Sequence, residues 1–208
     1  MKATLYYVHD PMCSWCWGFS RTLEELLENL PKEIKVQRLL GGLAPDSNIP
    51  MSLSMQESIK SSWHHIEDTI PSVKFNFDFW KNNIPRRSTY PACRAVIAAR
   101  KQGTEYDYKM TIAIQRAYYQ EARNPSDNST LIELAGELNL SASKFEDDLI
   151  SDDVENEFIA EMSFSRSLYA ESYPSLVLVI GDQSFTIKIN YNDYHAMKNQ
   201  IEKNLQSK

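Results

Sequence analysis

Several things are scarce in this chain. It has three cysteines, six glycines and nine prolines in 208 residues. Three cysteines are too few for a disulfide-stapled secreted scaffold. Six glycines exclude a collagen-like or glycine-rich low-complexity chain. No apolar run approaches the roughly 18–20 residues that a bilayer-spanning helix requires; the most apolar stretch, Leu176 to Ile180, is the length of a strand. Positive charge is in deficit, with a formal net charge of −6. That balance argues against nucleic acid or an anionic membrane as the main partner. The opening residues MKATLYYVHD hold one lysine, no apolar core of about 7–15 residues and no small-residue cleavage site. They do not read as a secretory leader, and the expected location is cytoplasmic.

What is present is enough for a folded core. The chain is 42% hydrophobic and 24% charged, which excludes disorder. Its length fits one domain, or one domain carrying a large insertion. Thr4 to His9 is a β-branched and aromatic run of strand length, ended by Asp10-Pro11. Phe19, Leu23, Leu26, Leu27 and Leu30 then recur at helical spacing, with Glu24, Glu25 and Glu28 on the other side, until Pro31. Ile34 to Leu40 reads as a second strand ended by Gly41-Gly42. Strand, helix, strand implies a βαβ unit with parallel pairing.

From about Met51 to Ala170 the patterning is helical almost throughout. Helices are expected over Pro91 to Gln102 and Glu105 to Glu121, with a polar break at Asn124-Pro125-Ser126-Asp127. Thr130 with Glu133, and Ser143 with Glu146, have the spacing of capping boxes, and a break is expected near Ser151. Ser175 to Ile180 and Ser184 to Ile189 read as strands joined by the three-residue turn Gly181-Asp182-Gln183. Asp193 to Leu205 fits a closing helix. The expected fold class is therefore α/β, with residues 1–48 and 171–208 forming βαβ…ββα and residues 49–170 an inserted all-helical domain.

The chemistry points to Cys13-Ser14-Trp15-Cys16 at the start of the first helix. Helix geometry puts Cα atoms three residues apart at about 5 Å, inside the roughly 4.4–6.8 Å that a disulfide spans. The first turn also offers unpaired N–H groups and the positive end of the helix dipole, both of which favour a thiolate. Cys13 is the expected nucleophile and Cys16 the expected resolving thiol. Half of a zinc site is the rival reading; it needs three or four ligands. Only Cys93 and four histidines remain to supply them, and His64 and His65 are adjacent. No metal is therefore expected. Covalent haem is excluded because Trp17, not histidine, follows Cys16.

The string Pro11-Met12-Cys13-Ser14-Trp15-Cys16-Trp17-Gly18-Phe19 after a short strand resembles the DsbA-like branch of the thioredoxin-fold disulfide oxidoreductases. It is closest to the FrnE-like members, described as predicted protein-disulfide isomerases. The resemblance covers nearly the whole chain and implies a cis-proline before the third strand. Pro174 in Ser172-Tyr173-Pro174-Ser175 is the matching position, with Tyr173 then facing the cysteines. It further implies thiol–disulfide exchange with no cofactor, acting on disulfide- or dithiol-containing proteins or peptides, with glutathione a further candidate, in a monomer or homodimer. Ser14-Trp15 departs from the Pro-His and Gly-Pro dipeptides found elsewhere in the superfamily, so oxidising strength does not carry over. Kappa-class glutathione transferases and hydroxychromene-carboxylate isomerases are similar in fold and give the alternative function. They typically place one hydroxyl where Cys13 stands.

Other residues carry weaker expectations. Cys93 shares helical spacing with Val96 and Ile97 and reads as core. Trp15 is a candidate contact for apolar substrate segments, whereas Trp17 and Phe19 read as core. Arg86-Arg87 is either a solvated pair or an anion site, His9 a structural residue or a tuner of the thiolate, and His64-His65 surface or satisfied core.

Overall fold

The structure, a computed structural model, describes residues 3–206. Met1 and Lys2, which enter the leader expectation and the 1–48 segment, and the last two residues of the 171–208 segment lie outside them. The first strand, β1 (Ala3–His9), leads through Asp10-Pro11 into α1 (Ser14–Glu28) and then β2 (Ile34–Leu40). Seven helices follow: α2 (Leu53–Thr69), α3 (Phe79–Asn82), α4 (Tyr90–Arg100), α5 (Tyr106–Tyr119), α6 (Asn128–Glu137), α7 (Ala142–Leu149) and α8 (Asp152–Ser167). The chain closes with β3 (Ser175–Ile180), β4 (Gln183–Ile187) and α9 (Tyr194–Gln206). This is the thioredoxin order with a run of helices between its two halves.

The sheet runs β2-β1-β3-β4. β1 pairs in parallel with β2, Leu5 opposite Val36, and antiparallel with β3, Leu5 opposite Leu178. Central position explains why β1 carries so many apolar residues: Leu5 and Val8 are fully buried, on opposite faces. One face packs Leu5, Leu176 and Leu178 against Phe19, Leu23 and Leu26 of α1 and Met197 and Ile201 of α9. The inserted helices build a second cluster around Trp63, with Phe75 stacked on it at 4.8 Å. Met12, just after β1, and Leu40, at the end of β2, belong to this second cluster, so the end of the sheet that carries the cysteines is seated on the helical insertion.

Three local expectations are corrected. The turn between β3 and β4 has two residues, because Ile180 pairs with Gln183; Gly181 takes φ +59°, which an L side chain rarely adopts. The helix expected to start at Thr130 starts at Asn128, with Asp127 at its N-cap in extended backbone. Asp127 spends its carboxylate on Arg86 Nη2 at 2.5 Å instead of on a cap bond. Similarly Ser141, not Ser143, is the N-cap of α7. The Gln102 side-chain amide holds Ser141 from both sides, accepting from its N–H at 2.9 Å and donating to its carbonyl at 3.2 Å. The break at Ser151 is a true cap, its Oγ accepting from the Val154 N–H at 3.2 Å.

Candidate active site

The segment between β1 and α1 is held by one carboxylate. Asp10 is fully buried. Its Oδ1 accepts from the Met12 N–H at 2.8 Å, and its Oδ2 accepts from the Leu43 N–H at 2.7 Å and the Thr89 hydroxyl at 2.6 Å. The Cys93 thiol adds a weak donor at 3.5 Å. Burial raises the Asp10 pKa, and the bonds from Thr89, Leu43 and Met12 oppose that rise. Asp10 thus ties the loop carrying the cysteines to the turn after β2 and to the start of α4. Its carbonyl also accepts the Cys13 N–H at 3.0 Å.

Cys13 is the N-cap residue of α1, in extended backbone, and Cys16 is the third residue of the helix. Both are free thiols. Cys13 is 5% exposed and Cys16 is 0% exposed, which makes Cys13 the outer sulfur of the pair. Burial pushes the Cys16 thiol well above its ordinary value, and its hydrogen bond with Cys13 adds to the rise. Cys13 Sγ donates to the Tyr173 carbonyl at 3.4 Å. The Tyr173–Pro174 peptide is cis. Tyr173 is itself fixed at its far end, where its hydroxyl donates to the Gly41 carbonyl at 2.6 Å.

Of the residues expected at the site, Cys13, Cys16, Tyr173 and Pro174 therefore come together from α1 and the segment ahead of β3. Ser14 is the first residue of the helix and half-buried. Trp15 points elsewhere: its half-buried ring packs on Tyr191 at 4.9 Å and His65 at 5.6 Å. Trp17 stacks on Tyr119 at 5.8 Å and is half-buried, whereas Phe19 is fully buried. His9 is buried against Tyr7, ring on ring at 4.8 Å, and its pKa is lowered to about 3 by burial, with Arg38 and Arg100 adding to the shift. Arg86 is bound internally by the Ser126 carbonyl at 2.6 Å and by Asp127. His64 and His65 are exposed. Among the described residues no three His, Cys, Asp or Glu side chains gather as a metal site would require.

Sequence reasoning missed Asp10 as anything but a strand breaker, and missed its partners Thr89 and Leu43. The one available signal was an acidic residue three positions ahead of the first cysteine, on the buried side of an apolar strand. Gly41 was also read only as a strand end. A Cβ there would sit 2.0 Å from the Tyr173 ring, so the close approach of the two requires glycine.

The comparisons with known proteins agree with this fold. The family model described as Thioredoxin matches residues 6–199. The chain belongs to the thioredoxin family. No curated protein matches it in sequence. Among solved structures, a protein of Nitrosomonas europaea provisionally assigned as a protein disulfide isomerase is 28% identical, with a TM-score of 0.85, covering 100% of this chain and 99% of that one. The cytosolic disulfide reductase DsbM of Pseudomonas aeruginosa is 22% identical, with a TM-score of 0.73 over 98% of this chain and 97% of that one. A 2-hydroxychromene-2-carboxylate isomerase is 12% identical, with a TM-score of 0.63 over 98% and 97% of the two chains. The architecture is that of the DsbA-like branch. Among the described residues no helix is long and apolar enough to cross a membrane.

Proposed function

We propose that this thioredoxin-family chain is a thiol–disulfide oxidoreductase working through Cys13 and Cys16. The observation that carries the reading is the arrangement of the two sulfurs: an outer thiol at a helix N-cap and a buried thiol one turn inside. The Cys13 thiolate attacks a substrate disulfide, one substrate thiolate leaves, and a mixed disulfide forms. Cys16 then attacks Cys13 Sγ, closing the intramolecular disulfide and releasing the second substrate thiol. Run backwards, the same steps oxidise a dithiol. The sulfur pair carries both electrons, so no cofactor is called for. Ser14 and Trp15, between the two sulfurs, are assigned to the active-site segment, and the backbone at Tyr173–Pro174 to meeting an extended substrate.

We assign residues 1–48 and 171–208 to the redox unit and 49–170 to the inserted helical unit, a division supported by their largely separate apolar clusters. Protein or peptide disulfides are the favoured substrates; likeness to the Nitrosomonas protein supports an isomerase-like role. DsbM has been crystallised with glutathione, which makes glutathione the first small thiol to test, and its cytosolic description supports a cytoplasmic assignment. The FrnE-like grouping rests on the active-site string.

The deciding experiment is the reduction potential of the pair in graded glutathione buffers, followed by Trp15 and Trp17 fluorescence and by mass spectrometry after alkylation. A reversible two-electron transition is expected. A value near about −270 mV makes the protein a reductase, and one near about −120 mV an oxidant. No transition, with both thiols free throughout, would overturn the reading.

A further inference from the structure

The sheet ends in a strand whose outer edge is open. β2 stands first in the order β2-β1-β3-β4, so among the described residues its only strand partner is β1. A pair of hydrogen bonds fixes which residues face outward. The Gly41 N–H donates inward to the His9 carbonyl at 2.8 Å, and the Leu40 N–H donates outward to Glu161 Oε2 at 2.7 Å. Main-chain groups alternate sides along a strand. Val36 and Arg38, in step with Leu40, therefore turn both N–H and C=O away from β1. Glu161 satisfies Leu40 only. Among the described residues nothing bonds the outward groups of Val36 and Arg38, and such a row of donors and acceptors is a template for another strand.

The helices leave room beside this stretch. Lys35, Val36, Gln37 and Arg38 form one wall of a trough of about 700 Å³, with Arg100 and Glu157 among the residues opposite. That is a ligand-sized space, since binding clefts run roughly 300–1,000 Å³. The carboxylates of the trough are already engaged, because Asp107, Glu157 and Glu161 all gather on Arg100. The strand wall differs. Among the described residues neither Lys35 nor Arg38 forms an ion pair; Lys35 is exposed, and Arg38 rests 4.4 Å above the Tyr108 ring. Side chains alternate faces along a strand, so one uncompensated cation flanks each face of the open edge.

We propose that this edge is a docking strand, to which an extended acidic segment of a partner protein adds. Main-chain hydrogen bonds to Val36 and Arg38 hold the segment, as in other cases of strand addition. Its carboxylates meet Lys35 and Arg38. Charge complementarity selects an acidic segment, because opposite charges across a strand pair are favourable and like charges are not. The place suits the chemistry as well. β2 leads from Arg38 to Gly41, whose carbonyl accepts from the Tyr173 hydroxyl. Three residues of strand at about 3.3 Å each put the docked segment about 10 Å from that turn. A partner anchored there is held near the residue that faces Cys13, by groups that lie outside the cysteine pair.

The test uses the whole reduced protein and a labelled peptide of alternating glutamate and valine, capped at both ends and about six residues long, the usual strand length. Fluorescence anisotropy is expected to show saturable binding. Val36→Pro removes one outward N–H, a change that edge strands tolerate, and should weaken binding about tenfold. Lys35→Glu, a surface change, should weaken it about fivefold. The fully N-methylated peptide, which cannot donate to the edge, should bind at least about tenfold more weakly. Unchanged turnover of a small aromatic disulfide shows that both variants are folded. No saturable binding, equal binding of the N-methylated peptide, or binding unchanged in both variants overturns the docking strand. A parent protein that sediments as a dimer, and that Val36→Pro converts to a monomer, overturns it too by giving the edge to a second copy. Peptide binding without any disulfide turnover in the parent overturns the redox reading alone.

Discussion

Tyr173 is gripped at both ends: its hydroxyl donates to the Gly41 carbonyl at 2.6 Å, and its own carbonyl accepts the Cys13 thiol at 3.4 Å. Gly41 in turn donates its N–H to the His9 carbonyl at 2.8 Å. The residue facing the outer sulfur is thus set by the end of β2 as much as by its own loop. The sheet and the thiol are linked through one phenol.

Removing the phenolic oxygen should be felt at the sulfur. Tyr173→Phe is expected to cost about 1 kcal/mol of stability. It should also loosen the carbonyl that accepts from Cys13. Losing an acceptor for the thiol disfavours the reduced form, so the potential should fall by on the order of 10–20 mV. Gly41→Ala pushes a methyl into the ring and should cost more, about 2–3 kcal/mol. Denaturant midpoints and glutathione-buffer titrations measure both. An unchanged potential in both variants would detach Tyr173 from the thiol.

The two cysteines should fail in different ways. Cys13→Ser is expected to lower disulfide-exchange turnover by more than about a hundredfold with no adduct formed. Cys16→Ser should accumulate the mixed disulfide on Cys13, visible as a mass increase reversed by dithiol reductant. Adducts on Cys16 in the Cys13→Ser protein would reverse the assigned roles.

Local signals carried much of this fold, and the distant contacts were out of their reach. The apolar spacing of Phe19, Leu23 and Leu26 marked α1, and the spacing of Cys13 and Cys16 marked the candidate site, because both are set within a few residues of chain. Pro174 was located by resemblance of its surrounding string. Asp10 and Gly41 were not legible. Asp10 finds Leu43 and Thr89, 33 and 79 residues away, and Gly41 finds Tyr173 across 132. Nothing in local periodicity encodes which polar groups will share a buried point. The start of α6 failed for the same reason, since Asp127 is claimed by Arg86, 41 residues upstream.

Acid should destabilise the protein through His9. Its folded pKa is lowered to about 3, with burial the first cause. The unfolded imidazole takes a proton below about 6.5. Between these values the unfolded state binds more protons, so stability is fully present above pH 6.5 and is lost as pH falls toward 3. By pH 5 the loss from this group is about 2 kcal/mol. The buried carboxyls of Asp10, Asp107 and Glu161 have raised values and act with the opposite sign, so a difference measurement is needed. Urea midpoints of the parent and of His9→Leu, compared at pH 5 and pH 7.5, isolate the term. The parent should lose more on acidification than the variant, and equal losses would remove His9 from the account.

A last chain of contacts runs from the insertion to the site. Arg100 on α4 bonds Asp107 at 2.9 Å, Glu157 at 2.8 Å and Glu161. Glu161 accepts the Leu40 N–H at 2.7 Å, one residue before the Gly41 that holds Tyr173. Arg100→Met leaves the mostly buried carboxylates of Glu161 and Asp107 without their cation and should cost about 3 kcal/mol. Glu161→Gln keeps an oxygen for Leu40 and should cost less, about 1–2 kcal/mol. Because the pairs are largely buried, the Arg100→Met deficit should persist in about 0.5 M salt, where surface pairs are screened. If the chain of contacts is rigid, Arg100→Met also lowers the Cys13–Cys16 potential in the same direction as Tyr173→Phe. A purely local loss of stability, with the potential unmoved, would confine Arg100 to holding α4, α5 and α8 together.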